Sequence, residues 1–585
     1  MRTILTLLFC FSALSTFSQS PLQEYEELTD SKPINQSLWD KTPKGIHLSW
    51  GNIDIRYNKF NVPTKSQLSS SWQGSAWKGE RVNAQFVLWT TEDISALSYK
   101  VSDLKNSNGV TIPADRISGG FVRYVMTDEL NKERTSGCGL RPNKAEWDSS
   151  LVADVIDLNQ SLPIKAKTVR PVWITIQTPQ HIPAGIYKGE ITVYINGQSH
   201  NKRLPFSLKV LNHQLPSPSD WKFHLDLWQN PFAVARYYQT NLWTKEHFAA
   251  MEGVMKPLAN AGQKVITTSI MHKPWNGQTY DYFESMITWT KKVDGTWQFE
   301  FDVFDKWVEF MMGLGIDKQI NCYSMVPWAL SFQYFDQATN RMQTIKTKPG
   351  EQAYNDMWLA LLRSFAKHLK SKGWFDKTVI AMDERPLKDM QLVEDLIKKA
   401  DSGFKLSLAG LYYDEIDKEI YDYCLSTDQV FPTDALKRRK EEGKISTYYT
   451  YCADTKPNTF TFSEPAEAAW IGIYASALDL DGYLRWAYNS WTETPLTDSR
   501  FITWAAGDTY LVYPGFRSSI RFERLIEGIQ YYEKIKILKE SFKKENNTKK
   551  LKQIDAMLSD FSLNNLSKKS SSEAVNTIRK TLNSL

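Results

Sequence analysis

Thr378–Val379–Ile380–Ala381–Met382–Asp383–Glu384–Arg385–Pro386 is the stretch on which the fold turns. Its first five residues do not alternate polar with apolar, and a charged triplet and a proline end the run. A short continuous apolar run with a sharp stop reads as a strand buried on both faces, as in a parallel sheet covered by helices. Working outward, seven similar runs flank it: Phe223–Leu227, Val265–Ile270, Gln319–Tyr323, Phe404–Leu408, Tyr423–Leu425, Ile445–Thr450 and Gly482–Ala487. Segments with helical spacing separate them, for instance Trp358, Leu361, Leu362, Phe365 and Leu369. Eight strands alternating with helices suit a (β/α)8 TIM-type barrel, whose usual length is about 250 residues. A doubly wound open sheet is the alternative, and the sixth run is the weakest of the eight.

The chain before this unit has a different rhythm. Arg81–Trp89 largely alternates polar with apolar, and Val172–Gln177, Glu190–Ile195 and Phe206–Val210 follow, with the turn former Pro183–Ala184–Gly185 between the first two. Short strands with frequent turns predict a β-sandwich over 21–215, and Leu215–Pro216–Ser217–Pro218–Ser219 reads as a linker into a barrel over 220–515. Residues 516–585 turn helical and basic, and are expected to form a solvated helical cap with a basic tail. The fold class is therefore multidomain α/β: sandwich, barrel, helical segment.

At the other end, Arg2, the apolar run Ile4–Phe11 and small residues up to Ser18 or Ser20 have the layout of a secretory signal peptide over 1–18. The run is too short to span a bilayer. The mature chain is thus expected to be exported, periplasmic or secreted, with no integral membrane segment. Past Cys10, the cysteines Cys138, Cys322, Cys424 and Cys452 lack Cys-x-x-Cys spacing, so neither a metal nor any other cofactor is called for. They allow one disulfide or buried free thiols. The net charge of +5 is local, because residues 541–585 carry 9 Lys/Arg against 4 Asp/Glu. A balanced remainder argues against a nucleic-acid partner. The unusual feature is aromatic: 21 Trp, 27 Tyr and 28 Phe.

In such a barrel, chemistry stands at the carboxyl ends of the strands. Reading those ends collects His272 and Trp275 after strand two, Tyr323 and Trp328 at strand three, Asp383–Glu384 at strand four, Tyr449 and Tyr451 at strand seven, and Trp486, Asn489 and Trp491 at strand eight. Aromatic rings stack on sugar C–H faces and carboxylates do acid–base work, so this is the inventory of a sugar site. Asp-Glu alone has no value as a motif, since Asp128–Glu129 and Asp414–Glu415 also occur. Only Asp383–Glu384 follows a buried strand directly. Two adjacent carboxylates there repel and lose solvent, so at least one pKa should rise; an ion pair with Arg385 is the structural alternative. Side chains of consecutive strand residues face opposite ways, which argues against the pair flanking one bond as the two carboxylates of a double displacement. A division of labour fits better: one carboxylate protonates the leaving oxygen, and the other orients a nucleophile supplied by the substrate, the carbonyl oxygen of a 2-acetamido group.

These residues resemble glycoside hydrolase family 123, the β-N-acetylgalactosaminidases (a module once called domain of unknown function 4091). The resemblance spans roughly residues 80–535 and rests on the segment Pro183–Ile195, His272–Lys273–Pro274–Trp275, Cys322–Tyr323–Ser324–Met325 with Pro327–Trp328, Met382–Pro386, Gly507–Asp508–Thr509–Tyr510–Leu511–Val512–Tyr513–Pro514–Gly515, and Arg521 to Tyr532. It implies a sandwich followed by a barrel, and retaining, exo-acting hydrolysis of terminal β-linked N-acetylgalactosamine from a glycan. It implies Glu384 as general acid and then general base, and Asp383 as the group that orients the acetamide N–H and stabilises an oxazolinium intermediate. By position, Tyr449 or Tyr451 is expected on the acetamide oxygen, Trp486 and Trp491 as walls, and Asn489 on a hydroxyl; His272, Trp275, Tyr323 and Trp328 complete the substrate-binding set. Two other readings compete: a retaining glycosidase with an enzyme nucleophile such as Glu493, and a non-catalytic glycan-binding protein using the aromatic rim.

Overall fold

The computed structural model describes residues 24–30, 34–128, 138, 143, 147, 149–196 and 201–585. The expected signal peptide lies outside the described residues.

All eight apolar runs form strands of one parallel sheet: one, His224–Leu227; two, Val265–Ser269; three, Gln319–Tyr323; four, Thr378–Asp383; five, Lys405–Gly410; six, Ile420–Ser426; seven, Ile445–Tyr449; eight, Gly482–Arg485. Their order around the sheet is one, eight, seven, six, five, four, three, two. Between the two end strands, Leu225 bridges to Gln263, and the Lys264 N–H donates to the Leu225 carbonyl at 3.0 Å. The sheet is therefore a near-closed barrel, in which strands four and eight stand across from one another. Helices intervene, as the spacing of apolar residues requires. Gln352–Lys372 buries Trp358, Leu361, Leu362, Phe365 and Leu369, and ends at Gly373 with φ of 69°, the left-handed turn that glycine adopts without cost. A smaller four-stranded sheet (Thr288–Lys291, Trp297–Glu300, Ser331–Asp336, Arg341–Lys346) is built from the segments after strands two and three.

The N-terminal unit is sheet-rich. One seven-stranded sheet contains Ile46–Gly51, Arg81–Thr90, Thr168–Gln177, Ile117–Asp128 and Ser149–Asp157; a second is built around Ile94–Val101, Gly185–Ile195, Lys202–Gln214 and Trp72–Lys78. One core joins them, with Trp50, Phe86 and Leu88 from the first sheet and Ile191, Phe206 and Leu208 from the second. The chain then comes back to this unit after the barrel, since Ser518–Ser519 pairs antiparallel with Val155–Ile156 on the edge of the first sheet.

The C-terminal segment departs from expectation. The long helix Ile520–Lys544 is not solvated: every residue from Ile520 to Ile535 is buried. It packs against helix Pro465–Ala477 so closely that a Cβ on Gly472 would lie 2.3 Å from the Gly528 carbonyl carbon. Its charges are matched across the seam between units. Arg521 meets Asp154 at 2.9 Å, Glu523 meets Arg81 at 2.6 Å, Arg524 meets Asp54 at 2.7 Å and Lys534 meets Glu80 at 2.6 Å. Charge density here marks pairing between units, which no periodicity along one helix can reveal.

Candidate active site

Strand four carries buried Val379, Ile380, Ala381 and Met382, and its last residue, Asp383, is half-buried. Glu384 then takes a left-handed backbone, φ 50°, while its N–H donates to the Ala409 carbonyl of strand five at 2.7 Å. Such a conformation costs a residue with a Cβ about 1–2 kcal/mol, and strain of this kind collects at functional sites. Here it breaks the pleat. Instead of facing opposite ways, Asp383 and Glu384 line one cavity of about 440 Å³. The alternation rule fails at this pair because the strand ends between its members.

The cavity is walled by Trp228, Trp275, Trp328, Trp486 and Trp504, with Tyr449, Tyr451, Gln278, Ala409, Leu484, Asp508 and Cys138–Cys452 completing it. The Trp328 indole N–H donates to Asp383 Oδ2 at 3.1 Å, and the Tyr449 hydroxyl donates to Glu384 Oε1 at 2.8 Å. Arg385 does not make the alternative ion pair. Its Nε donates to the Asp383 main-chain carbonyl at 2.6 Å, and its guanidinium lies over the Trp328 ring at 4.6 Å. Burial, followed by the charge of Glu384, pushes the Asp383 carboxyl up to about 7. The expected rise therefore falls on Asp383. Burial and the neighbouring Glu384 hold the Tyr449 phenol well above its ordinary value, so it stays a donor.

Of the residues chosen from strand ends, Asp383, Glu384, Trp275, Trp328, Tyr449, Tyr451 and Trp486 line the cavity. The other four do not. His272 Nδ1 is 2.6 Å from Glu284 Oε2. Tyr323 is buried behind the wall, its ring 4.6 Å from Trp228 and 5.0 Å from Trp275. Asn489 is fully buried, clamping strand one's exit by accepting from the Asn230 N–H and donating to the Asn230 carbonyl. Trp491 is fully buried, its indole donating to the Val512 carbonyl. Glu493, the candidate enzyme nucleophile, is exposed and is not among the lining residues.

Sequence reasoning missed Trp228, Gln278, Trp504 and Asp508. Trp228 directly follows strand one, so the strand-end rule finds it if applied there. Asp508 stood inside a quoted motif, but its partner Arg485 is close only in the fold. Among the described residues there is one disulfide: Cys138 pairs with Cys452, fastening a residue from the sheet-rich unit to the loop beyond strand seven at the cavity rim, while Cys322 and Cys424 are buried free thiols. Among the described residues, no group of three or more His, Cys, Asp or Glu could hold a metal, and no helix is long and apolar enough to cross a membrane.

Residues 228–538 match the family model described as "Glycoside hydrolase 123, catalytic domain", and residues 50–195 match "Glycoside hydrolase 123 N-terminal domain". Among solved structures, a family 123 glycoside hydrolase from Clostridium perfringens, described in connection with glycolipid glycan hydrolysis, is 29% identical with a TM-score of 0.82, covering 92% of this chain and 98% of its own. A β-glucuronidase from Bacteroides uniformis (9% identity, TM-score 0.29, 78% and 50% covered) and a family 20 exo-β-N-acetylglucosaminidase from Vibrio harveyi (9%, 0.20, 66% and 81%) are too distant to carry an argument. No curated protein matches significantly.

Proposed function

The chain belongs to glycoside hydrolase family 123 and is a glycoside hydrolase, and we propose that it is an exported, retaining exo-β-N-acetylgalactosaminidase that removes terminal β-linked N-acetylgalactosamine by substrate assistance. The observation that carries this reading is the Asp383–Glu384 pair, which makes no salt bridge among the described residues and is held together in one tryptophan-walled cavity at the end of strand four. In the first step Glu384 gives its proton to the glycosidic oxygen while the acetamide carbonyl oxygen attacks C1, forming an oxazolinium and releasing the aglycone. Asp383 accepts from the acetamide N–H, which both aims the carbonyl and stabilises the positive charge that develops. That N–H adds to the Trp328 donor and favours the ionised form of Asp383 when substrate is bound. Glu384, now a carboxylate, takes a proton from water as the water opens the oxazolinium, and retention follows from two inversions. The Tyr449 hydroxyl supports Glu384 in its charged state.

Glycolipid glycans are the substrate class this reading favours, on the strength of the Clostridium perfringens relative. The architecture belonging to it is a signal peptide over 1–18, a β-sandwich over 21–215, a (β/α)8 TIM-type barrel over 220–515 and a helical segment over 516–585, with a periplasmic or secreted location. Release of nitrophenol from β-GalNAc, β-GlcNAc and β-Gal aryl glycosides, with and without a GalNAc-configured thiazoline, tests the activity and mechanism. Turnover confined to 2-acetamido sugars and inhibited by the thiazoline is expected. Equal turnover of the β-Gal glycoside sinks substrate assistance.

A further inference from the structure

The C-terminal helix Ser571–Leu582 buries Ser571, Val575, Ile578 and Leu582 along one face. Asn576, Arg579 and Lys580 are neighbours across one turn, and they meet the sheet-rich unit. The helix is tied there by Asn576 Nδ2, which donates to Asp54 Oδ2 at 2.9 Å, and by Asn583 Nδ2, which donates to Ser75 Oγ at 2.9 Å. Together with Asn52, Trp72 and Asn83 the three helix residues line a cavity of about 350 Å³, a size that holds a small ligand. It shares no lining residue with the cavity at the end of strand four, and the proposed mechanism does not use it.

The hydrogen-bonding inventory of this cavity is one-sided. Its side-chain acceptors are engaged. Asn52 Oδ1 accepts from the Asp54 N–H at 2.9 Å, Asn83 Oδ1 from the Trp173 indole at 3.3 Å and the Thr175 hydroxyl at 2.9 Å, and Asn576 Oδ1 from Arg579 Nη2. Its donors are not. Among the described residues, the Trp72 indole N–H, Asn52 Nδ2, Arg579 Nε and Nη1, and Lys580 Nζ have no partner; Asn52 and Lys580 are exposed, and the nitrogens of half-buried Trp72 and Arg579 keep access to solvent. The charges point the same way. The carboxylates whose field keeps Arg579 charged are Glu527, Asp54 and Glu80, and none of them pairs with it. Asp54 and Glu527 both go to Arg524 at 2.7 Å, and Glu80 goes to Lys534 at 2.6 Å. A cavity with spare donors and cations but no spare side-chain acceptor suits a ligand that only accepts, an oxyanion, and a guanidinium is shaped to give such a group two hydrogen bonds at once. Trp72 adds an aromatic wall, the surface on which sugar C–H faces pack. We infer that this cavity is a second carbohydrate-binding site, for a sugar that carries a carboxylate or a sulfate, with Arg579 and Lys580 holding the anion and Trp72 the ring. In a glycoside hydrolase it retains an acidic glycan at a distance from the cavity at the end of strand four.

Titration calorimetry on the full chain at low ionic strength tests this with methyl β-glucuronide, galactose 6-sulfate, neutral methyl β-galactoside and inorganic sulfate. At least one acidic sugar is expected to bind at least about tenfold tighter than the neutral one and tighter than sulfate alone, and which of the two binds better tells a uronate source from a sulfated one. Arg579→Gln is expected to weaken that binding by at least about tenfold. Lys580 is exposed, so Lys580→Gln tests the site without touching the buried network, with an expected loss of about two- to fivefold. Trp328→Ala, in the other cavity, is expected to leave the affinity as it is. Equal binding of the neutral sugar, sulfate binding as tightly as either acidic sugar, or no binding at all overturns the inference. So does acidic-sugar binding that survives both Arg579→Gln and Lys580→Gln, or that is lost in Trp328→Ala instead.

Discussion

Two regions of this molecule treat their carboxylates in opposite ways. At the seam between the sheet-rich unit and the barrel, Asp154 is fully buried between Arg56 at 2.9 Å and Arg521 at 2.9 Å, with the Tyr513 hydroxyl donating at 2.6 Å. Burial alone would raise its pKa, but the two guanidiniums win and hold it below its ordinary value. Asp157 likewise lies between two guanidiniums, Arg123 at 3.0 Å and Arg517 at 2.9 Å. At the end of strand four, Asp383 has an indole donor and a second carboxylate beside it, and its pKa climbs to about 7. The counterion decides the outcome. A carboxylate with a cation on each side is fixed in one charge state and serves as structure. One that lacks a cation partner remains free to exchange protons and to accept from a substrate.

The sharpest way to break this contrast is at the end of strand four. Glu384→Gln should lower kcat by about 100- to 10,000-fold on a glycan with a poor leaving group, with a much smaller loss on an activated aryl glycoside; stopped assays on both substrates decide it. At the seam, Asp154→Ala leaves Arg56, Arg521 and Tyr513 without their shared acceptor. Breaking one member out of a buried network costs about 3–5 kcal/mol, so urea unfolding should show a much lower midpoint, while kcat of the folded fraction stays near wild type.

Between these extremes lies pH. In the proposed mechanism an Asp383 carboxyl at about 7 must be ionised to accept the acetamide N–H, so kcat/KM of the free enzyme should fall as pH drops through about 7. A profile flat from pH 8 to 5 breaks the assignment. The smallest effect concerns strain. Glu384→Gly removes a Cβ from a left-handed residue and should raise stability by up to about 1 kcal/mol, since glycine carries no penalty there, while abolishing turnover; a thermal melt that drops contradicts it.

The barrel was legible because a strand buried on both faces leaves an unbroken apolar run, and eight such runs stand out even where one, Tyr423–Leu425, is short. The Asp383–Glu384 pair was legible for the same reason, as carboxylates at the end of a run. What periodicity could not give depends on contacts between distant segments. The helix Ile520–Lys544 reads as solvated because its charges pair with Asp54, Glu80, Arg81 and Asp154, hundreds of residues away. Asn489 and Trp491 sit just past strand eight yet turn inward, to Asn230 and Val512, so position past a strand does not fix direction. Asp508 gains meaning only beside Arg485.

The contrast between fixed and free carboxylates can be tested at Asp383 itself, by measuring turnover and thermal stability of Asp383→Asn at pH 8. A carboxyl whose folded pKa is raised from 3.8 to about 7 penalises the folded state as pH rises through that window, with the full penalty above 7. The asparagine removes the penalty and also the acceptor charge. The account predicts a protein at least as stable as wild type at pH 8, with the gap closing below pH 4, and with kcat/KM for a β-GalNAc aryl glycoside lower by at least about 100-fold. Near wild-type turnover, or a clear loss of stability at pH 8, would contradict it.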